Sequence, residues 1–435
     1  MVTIDGKDIY LGKHDTAESK AAYDRLIGEW LRHGRRLPKA NAAAEVSIAS
    51  VIEQFWPWVE MNYRRPDGTQ TSEVDQYRYG LRPLNYLHGT TPAIEFGPLA
   101  FQAVRQLMID GYEHPKYGYQ PPVSRGVINK RMSRIKRMFR WAVSREMIPS
   151  VAVVNGQHQA IQERLKSVDG LQRGRSKARE TEPVRPVAEA IVNASRPFLS
   201  RPVEALIDLQ LLTGARPGEL CILRECDLDM SGRIWVYRPE FHKTTHRGLG
   251  REIYLGPKAQ EIVKPFFKPF VKTAYLFSPQ DADAEHQEER RQNRKTPLWP
   301  SHLRRLEKKR KANRRRPPSD HYDVPAFRRA IAYACLKAFP LPEHLGPRTK
   351  ANGKRETAKE WKKRLTTDEK AAIKVWKRQH TWHPHQLRHS SATALRKEFG
   401  IELARIILGH SSAFVTEIYA ECDRVKAMEA MQQVG

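Results

Sequence analysis

Three short stretches of the sequence place nitrogen-rich side chains at predicted helix ends, where they could contact a phosphate. In TGARPGEL, Arg216 follows a glycine turn and precedes a new helix. In HPHQLRH, His385 and Arg388 are three residues apart and therefore share one helix face. In LGHSS, His410 follows the glycine that ends a helix, and Tyr419 comes nine residues later. Guanidinium and imidazole groups can stabilise charge on phosphate oxygens, and a tyrosine hydroxyl can act as a nucleophile.

Each stretch taken alone has a simpler explanation. A helix-ending glycine followed by a surface arginine is common, and a single tyrosine is most often a core or surface residue. The histidines His383, His385 and His389 could be zinc ligands or a polar helix end. A zinc site needs a third and a fourth ligand, and no cysteine lies near these histidines in the sequence. The three stretches together favour phosphate contact over zinc.

The composition predicts a nucleic-acid partner. The chain has 435 residues, which suggests two or three domains, and its 40% hydrophobic content is enough for ordinary cores. Its formal net charge is +27 and its pI is near 10.0. Such an excess favours a polyanion, with nucleic acid first and an anionic membrane surface second. No stretch approaches about 20 uninterrupted apolar residues, so no membrane partner is expected.

The N-terminal stretch and the cysteines predict where the protein works. The polar, alternating sequence MVTIDGKDIYLGKHD does not resemble a secretory signal. The four cysteines are scattered without zinc-knuckle spacing and are interpreted as reduced thiols. These features predict a cytoplasmic, nucleoid-associated protein.

The first part of the chain predicts a small arm and a helical domain. Residues 1–40 have a strand–helix pattern, and residues 46–165 have helical periodicity throughout. The clearest helix covers 124–148, with one apolar face made of Ile128, Met132, Ile135, Met138, Phe139 and Ala142. Its basic residues lie largely off that face: Arg131, Arg134, Lys136 and Arg137. They are either a solvated surface or contacts to DNA phosphates, and the pattern leaves both open.

The second part of the chain predicts a linker and a further domain. Residues 166–184 are basic, polar and bounded by prolines, which is typical of an exposed linker. Residues 185–435 follow as a domain with helices first and short strands next. A basic stretch at about 285–380 predicts a mobile insertion that contacts phosphates. Its predicted DNA contacts are Arg304, Arg305, Lys308 and Lys309.

The motifs TGARPGEL, HPHQLRH and LGHSS, with the downstream IYA, resemble in order and spacing those of the tyrosine recombinases, the phage-integrase family. The resemblance covers residues 185–425 as a catalytic domain and 46–165 as a core-binding domain. Carried over by position, it implies a catalytic set of Arg216, Lys243, His385, Arg388, His410 and the nucleophile Tyr419, with Glu219 as a structural neighbour. The gap between Lys243 and His385 is several tens of residues longer than the family pattern.

This resemblance implies a mainly α fold with a small antiparallel sheet. It implies a site-specific DNA recombinase or integrase, encoded on a mobile element, whose two domains close around duplex DNA. The implied reaction passes through a 3′-phosphotyrosine and uses neither metal nor ATP, because the covalent intermediate keeps the bond energy. His385 would act as the base and Lys243 as the acid that protonates the leaving 5′-oxygen. The implied assembly is a homotetramer on DNA, with accessory DNA-bending proteins as further partners.

Two alternative functions remain open from the sequence. A type IB topoisomerase would use the same chemistry to nick and relax one duplex as a monomer. A DNA-binding protein without cleavage activity would keep the basic surfaces alone, although the full set of catalytic residue types argues against it. A covalent protein–DNA adduct separates the last alternative from the other two.

Overall fold

The computed structural model describes residues 1–4, 7–12, 16, 19–20, 23, 27, 46–65, 67–154, 157–242, 245, 248, 250–297, 299–313, 317–350, 353–410, 412 and 416–417. Contact clustering divides the chain into two compact units, Met1–Glu182 and Pro183–Gly435. Both are mainly helical with small antiparallel sheets, which confirms the predicted fold class. Within the described ranges, no helix is long and apolar enough to cross a membrane.

The first unit contains a group of four long helices. Its helices are α1 Ile48–Asn62, α2 Ser72–His88, α3 Pro98–Asp110, α4 Arg125–Ser144 and the short α5 Ile161–Lys166. Its strands form three antiparallel pairs: β1 Val2–Ile4 with β2 Lys7–Ile9, β3 Tyr112–His114 with β4 Gly118–Gln120, and β5 Val151–Val154 with β6 Gln157–Ala160. Helix α4 buries the six apolar residues predicted from its periodicity, so that prediction is confirmed.

The stretch from 168 to 180 lies along α4 rather than in solvent. The α4 side chain of Asn129 donates to the carbonyl of Leu171 at 3.0 Å and accepts from its N–H at 2.8 Å. Arg125, at the start of α4, binds the Glu180 carboxylate at 2.7 Å. Val168 is buried in the core of the first unit. An exposed linker was expected here because the sequence is polar, but its backbone groups bind side chains of α4 and one of its apolar side chains is buried in the core.

The second unit encloses a core between helices and a three-stranded sheet. Its first helices are α6 Glu189–Ser195, α7 Arg201–Thr213 and α8 Pro217–Cys221. The antiparallel sheet follows, in the order β7 Leu228–Asp229, β8 Trp235–Tyr237 and β9 Ile253–Leu255. The remaining helices are α9 Pro257–Val263, α10 Pro279–Gln292, α11 Pro300–Asn313, α12 Val324–Ala338, α13 Ala358–Arg364, α14 Thr367–His380 and α15 Pro384–Leu408.

The region 285–380 is not one appended segment. Helix α12 buries Phe327, Ile331 and Cys335 in the main core of the second unit, together with Leu206 of α7 and Leu387 of α15. Helix α11 has exposed leucines and no such core contact among its described side chains. The predicted insertion therefore consists of separate parts on either side of a core helix, because the apolar face of α12 is needed to complete that core.

Candidate functional site

Two glycine turns bring the predicted motifs together. Helix α7 ends at Gly214, and α15 ends at Gly409; both glycines have left-handed backbone conformations, with φ of 63° and 65°. A Cβ atom at Gly214 would collide with the side chain of Leu408, and one at Gly409 would collide with the guanidinium of Arg251. Only glycine fits these close approaches, and each turn directly precedes a candidate residue of the site.

Arg216 is held at the start of α8 by Glu219. The backbone N–H of Arg216 donates to Glu219 Oε2 at 2.9 Å, and its Nη1 donates to Glu219 Oε1 at 2.7 Å. Tyr237 of β8 donates its hydroxyl to the carbonyl of Glu219 at 2.6 Å, which ties α8 to the sheet. The Arg216 side chain remains 25% exposed, so its guanidinium can meet a ligand that comes from solvent.

Arg388 is fully buried and joins three segments of the chain. Its Nη1 donates to the carbonyl of Gly214 at 2.5 Å, and its Nη2 donates to the carbonyl of Leu408 at 2.8 Å. Nη2 also lies 2.7 Å from His410 Nε2. A buried guanidinium needs such acceptors, since a charge left without them costs several kcal/mol. Arg388 therefore fixes the end of α7 and the end of α15 against each other.

The contact with Arg388 decides the tautomer of His410. A guanidinium can only donate, so His410 Nε2 must accept and the ring proton must lie on Nδ1. Nδ1 is 3.0 Å from the hydroxyl of Thr416, which can receive that proton. Burial and then the charge of Arg388 lower the pKa of His410 to about 3. The role of His410 as a donor to phosphate stays a prediction; in this arrangement Nε2 accepts from Arg388 and the ring proton lies on Nδ1.

His385 lies at the start of α15 and is also neutral. Burial first, and then the charges of His389, Arg388, His383 and Arg216, lower its pKa to about 4. Its ring makes an edge contact with His389, at 5.4 Å between ring centres. A neutral imidazole at this place can accept a proton, as a general base must.

Arg251 is a buried cation of the site that the sequence motifs did not indicate. Its Nε lies 3.6 Å from Glu219 Oε2, and its Nη1 donates to the carbonyl of Ile407 at 3.3 Å. Burial alone would raise the pKa of Glu219, but Arg251 and Arg216 hold it below its ordinary value. The strand pattern contained a signal, because residues 251, 253 and 255 alternate inward and Arg251 shares the buried face of β9.

The described part of the site unites four of the six predicted catalytic residues. Arg216, His385, Arg388 and His410 come from three separated motifs, and the charges of both arginines lower the pKa of both histidines. Lys243 and Tyr419 lie outside the described residues. Among the residues that are described, no group of three or more His, Cys, Asp or Glu side chains is placed to hold a metal ion.

The basic residues of α4 mostly have partners inside the first unit. Arg134 binds both oxygens of Glu73, at 2.7 and 3.0 Å, and Lys136 donates to the carbonyl of Val168 at 2.9 Å. Arg131 is half-buried, and that burial lowers its pKa. Arg137 lies over the ring of Trp58 at 5.3 Å. The sequence left open whether Arg134 and Lys136 are solvated or contact phosphates; their charged groups bind Glu73 and Val168 within the unit.

An open groove on the first unit keeps a basic lining. Its volume is about 1030 Å³, and Lys130, Arg137 and Arg140 line it together with Trp58 and Tyr63. On α11, Arg304, Arg305 and Lys308 are exposed, whereas the side chain of Lys309 lies outside the described residues. Lys130 and Arg140 are thus candidate phosphate contacts that the sequence pattern did not single out.

The arrangement in the second unit suits an anion that gains charge. Arg216 and Arg251 flank one buried carboxylate, Glu219. Arg388 adds a third cation next to His410, so positive charge is in excess. Guanidinium groups held by packing can stabilise a phosphate transition state without reorganising at the moment of reaction. Arg216 is the exposed member of these three arginines. His385 lies close enough for the charge of Arg216 to lower its pKa.

Comparison with known proteins shows the fold. No protein-family model and no curated protein sequence matches the chain. A structure of the lambda integrase dimer bound to a COC′ core site aligns with a TM-score of 0.50 at 15% identity, over 96% of this chain and 90% of that chain. The lambda integrase tetramer bound to a Holliday junction aligns with a TM-score of 0.47 at 14% identity, over 96% and 90%. The Tn1549 transposon integrase in complex with circular intermediate DNA aligns with a TM-score of 0.44 at 16% identity, over 89% and 99%. The chain thus has a fold similar to that of lambda integrase.

Proposed function

We propose that the chain is a tyrosine recombinase of the phage-integrase family, which cuts and rejoins DNA at a specific site through a 3′-phosphotyrosine intermediate. The observation that carries this proposal is the convergence of Arg216, His385, Arg388 and His410 on one place. They come from motifs up to 194 residues apart in the sequence. The likeness to the lambda integrase fold supports the same function without depending on any single residue.

The proposed reaction begins with attack on a DNA phosphodiester. The hydroxyl of Tyr419 attacks phosphorus, a bond from its oxygen to phosphorus forms, and the bond to the 5′-oxygen of the leaving strand breaks. His385 is neutral and can accept the tyrosine proton, while Lys243 gives a proton to the leaving oxygen. Attack by the freed 5′-hydroxyl of a partner strand on the phosphotyrosine then restores the phosphodiester and releases the tyrosine.

The arginines stabilise the charge that develops on the non-bridging oxygens. Arg216 meets the phosphate from the exposed edge, and Arg388 supports it from the buried side. An arriving phosphate raises the pKa of a neighbouring histidine, because negative charge favours the protonated form. His410 would then carry a proton on Nε2 as well and change from acceptor to donor. The buried contact between Arg388 and His410 is the resting form of this arrangement.

Recombination of two duplexes needs four active sites, so the proposed assembly is a homotetramer on DNA. The solved lambda integrase tetramer on a Holliday junction is an example of such an assembly in a protein of similar fold. The same proposal includes accessory DNA-bending proteins, a mobile element as the source of the target and a nucleoid location. No metal or nucleotide takes part in any proposed step.

A capture experiment tests the proposal without knowledge of the target sequence. The purified chain is incubated with a fragmented DNA library from its source genome, and protein-linked DNA is isolated in SDS. The expected result is a recurrent sequence joined to the protein through its 3′ end, and two duplexes that carry this sequence should exchange strands. Relaxation of a supercoiled plasmid without strand exchange would instead indicate a topoisomerase. Absence of any SDS-resistant adduct would overturn the proposal.

A further inference from the structure

Residues 341–350 and 353–380 form a small module with an apolar cluster of its own. Leu345, Leu365 and Ile373 are buried in this cluster, with Leu341 and Trp361 packed against it. These residues are separate from the main core cluster of the second unit. The module comprises helices α13 and α14 and the loop before them, and is called the basic module below.

The loop and the helices of the basic module are bonded to each other. Trp361 of α13 donates its ring N–H to the carbonyl of Leu345 at 3.0 Å. Arg364 donates to the carbonyl of Gly346 at 2.9 Å and to Glu356 Oε1 at 3.1 Å. These bonds and the apolar cluster give the module a defined shape, so its surface charges are presented in a fixed arrangement.

Both ends of the basic module meet at one point of the second unit. The ring of His380, at the end of α14, lies 3.9 Å from Trp376 and 5.2 Å from Phe339, which follows α12. Trp382 comes next and is buried in the main core, where its ring N–H is 3.3 Å from the hydroxyl of Ser195. Helix α15, which carries His385, begins two residues after Trp382. The module is therefore an outgrowth whose base joins the start of the candidate site.

The carboxylates of the basic module serve its own structure. Glu360 binds the N–H of Thr357 and the amine of Lys350, and these hydrogen bonds, that of Lys350 first, lower its pKa to about 2. Glu369 accepts from the N–H of Thr366 at the start of α14, and this bond lowers its pKa. Glu356 accepts from the N–H of Arg348 at 2.9 Å, besides binding Arg364. Three of its five acidic residues are thus engaged in caps and internal bonds.

The outer surface of the basic module is left with basic residues. Residues 341–380 contain twelve Lys and Arg against five Asp and Glu, a formal charge of +7. The basic residues that are exposed and have no ion pair among the described residues include Arg355, Lys359, Lys362, Lys363, Lys370, Lys374, Lys377 and Arg378. On α14, the positions 370, 374 and 377 are spaced four and three apart, so they form one exposed stripe, and the buried Ile373 lies along its edge.

We infer that the basic module binds the sugar–phosphate backbone of duplex DNA beside the cleavage site. Only the existence of a cleavage site rests on the proposed function. Helix α14 has 14 residues. At 1.5 Å per residue it is about 21 Å long, a length over which duplex DNA carries about twelve phosphate charges. A surface that only keeps a protein soluble mixes charges of both signs. Here three of the five acidic residues make internal hydrogen bonds, and the stripe contains lysines alone.

The test compares two variants of the full chain with equal charge. The first, Lys370→Gln with Lys374→Gln and Lys377→Gln, removes the stripe. The second, Lys258→Gln with Lys264→Gln and Lys272→Gln, removes three exposed lysines elsewhere in the second unit. Binding to a duplex of about 40 base pairs and arbitrary sequence is measured over a range of salt concentrations. Unchanged melting temperatures show that both variants fold.

In the stripe variant, the slope of log affinity against log salt should be smaller in magnitude by about 2 to 3. Three lysines are removed, and each phosphate contact contributes about 0.9 to the slope. The control variant should keep the slope of the unaltered chain. Equal slopes in all three proteins, or an equal loss in both variants, would overturn the inference. Loss of affinity for duplex RNA with none for DNA would also overturn it.

The binding experiment does not depend on the chemistry. It is repeated with Tyr419→Phe, which lacks the proposed nucleophile, and the same slope difference is expected there. Failure of the proposed function would appear as the absence of a covalent adduct, with the slope difference intact. Failure of this inference would appear as unchanged slopes, with adduct formation intact.

Discussion

Arg388 Nη2 and His410 Nε2 lie 2.7 Å apart inside the second unit. Since the guanidinium can only donate, this contact sets the histidine tautomer, and the same guanidinium binds the carbonyls of Gly214 and Leu408. One buried side chain therefore orients the turn before Arg216 and the turn that carries His410. This side chain therefore fixes the described candidates Arg216 and His410 relative to each other.

Arg388→Lys should fold but form the covalent adduct about 10²–10³ times more slowly, because one rigid donor of the transition-state pocket is lost. A lysine ammonium keeps the charge but cannot span the carbonyls of Gly214 and Leu408 as the planar guanidinium does. Single-turnover adduct formation measures the effect. Arg291→Lys is the control, since the Arg291 side chain is exposed on α10 and binds Glu288 at 3.4 Å. A rate equal to that of the unaltered chain would remove Arg388 from the proposed pocket.

Stability should fall as the pH decreases from about 6.5 towards 4. Burial, with Arg388 next to it, lowers the pKa of His410 from its ordinary 6.5 to about 3, so the unfolded chain binds a proton in this window and the folded chain does not. Each such proton changes the free energy of unfolding by about 1.4 kcal/mol per pH unit. Urea unfolding between these pH values measures the slope.

His410→Gln should reduce the slope of unfolding free energy against pH by about 1.4 kcal/mol per pH unit, because glutamine does not bind a proton in this range. This change in slope is expected whatever the substitution does to stability at neutral pH. His286→Gln is the control, since His286 lies on the exposed helix α10. An undiminished slope in His410→Gln would show that this imidazole is not held neutral by its surroundings.

Arg251→Met should lower the free energy of unfolding by about 3 kcal/mol, because it leaves Glu219 buried with only part of its compensating charge. Glu219→Gln should lower the free energy of unfolding by less in this variant than it does in the unaltered chain. The double-mutant cycle, measured by urea unfolding, gives the coupling between the two side chains. Additive effects would mean that the separation of 3.6 Å carries no energetic link.

The motifs were predictable from the sequence because they are local. A glycine that ends a helix, an arginine after it and two residues three apart on a helix are all properties of short windows. The apolar face of α4 was equally predictable, since its six buried residues follow one helical period. In the structure Arg388 contacts the turn before Arg216 and the side chain of His410, although nothing local in the sequence requires these contacts.

Partners distant in sequence were not predictable in this way. Arg134 looked available for phosphate until the fold brought Glu73 to it. The polar stretch 168–180 looked like a linker because its hydrogen-bond partners on α4 are about 40 residues away in the chain. Arg251 has no motif around it, and its importance follows from the approach of Gly409 and Glu219. Long-range packing determines the partners of these residues, and composition and local sequence patterns do not predict that packing.

Lys243→Ala should cleave ordinary DNA more slowly by about 10²–10⁴, the usual contribution of a general acid. It should recover most of that loss on a substrate with sulfur at the 5′-bridging position, since a thiol has a pKa near 8.5 and leaves without a proton. Arg216→Ala should be rescued far less, because its proposed role is at the non-bridging oxygens. Equal defects of Lys243→Ala on both substrates would exclude this lysine as the acid, and Arg247 would be tested next.

The nature of the covalent bond to DNA tests the proposed function most directly. Protein-linked DNA from the capture experiment is digested with nuclease and trypsin, and the modified peptide is identified by mass spectrometry. The proposed mechanism predicts a 3′-phosphonucleotide on Tyr419, and no adduct from Tyr419→Phe, whose affinity for DNA should stay within a few-fold because only the attacking oxygen is lost. An adduct on another residue such as Tyr322 or Tyr333, or an adduct that persists in Tyr419→Phe, would contradict it.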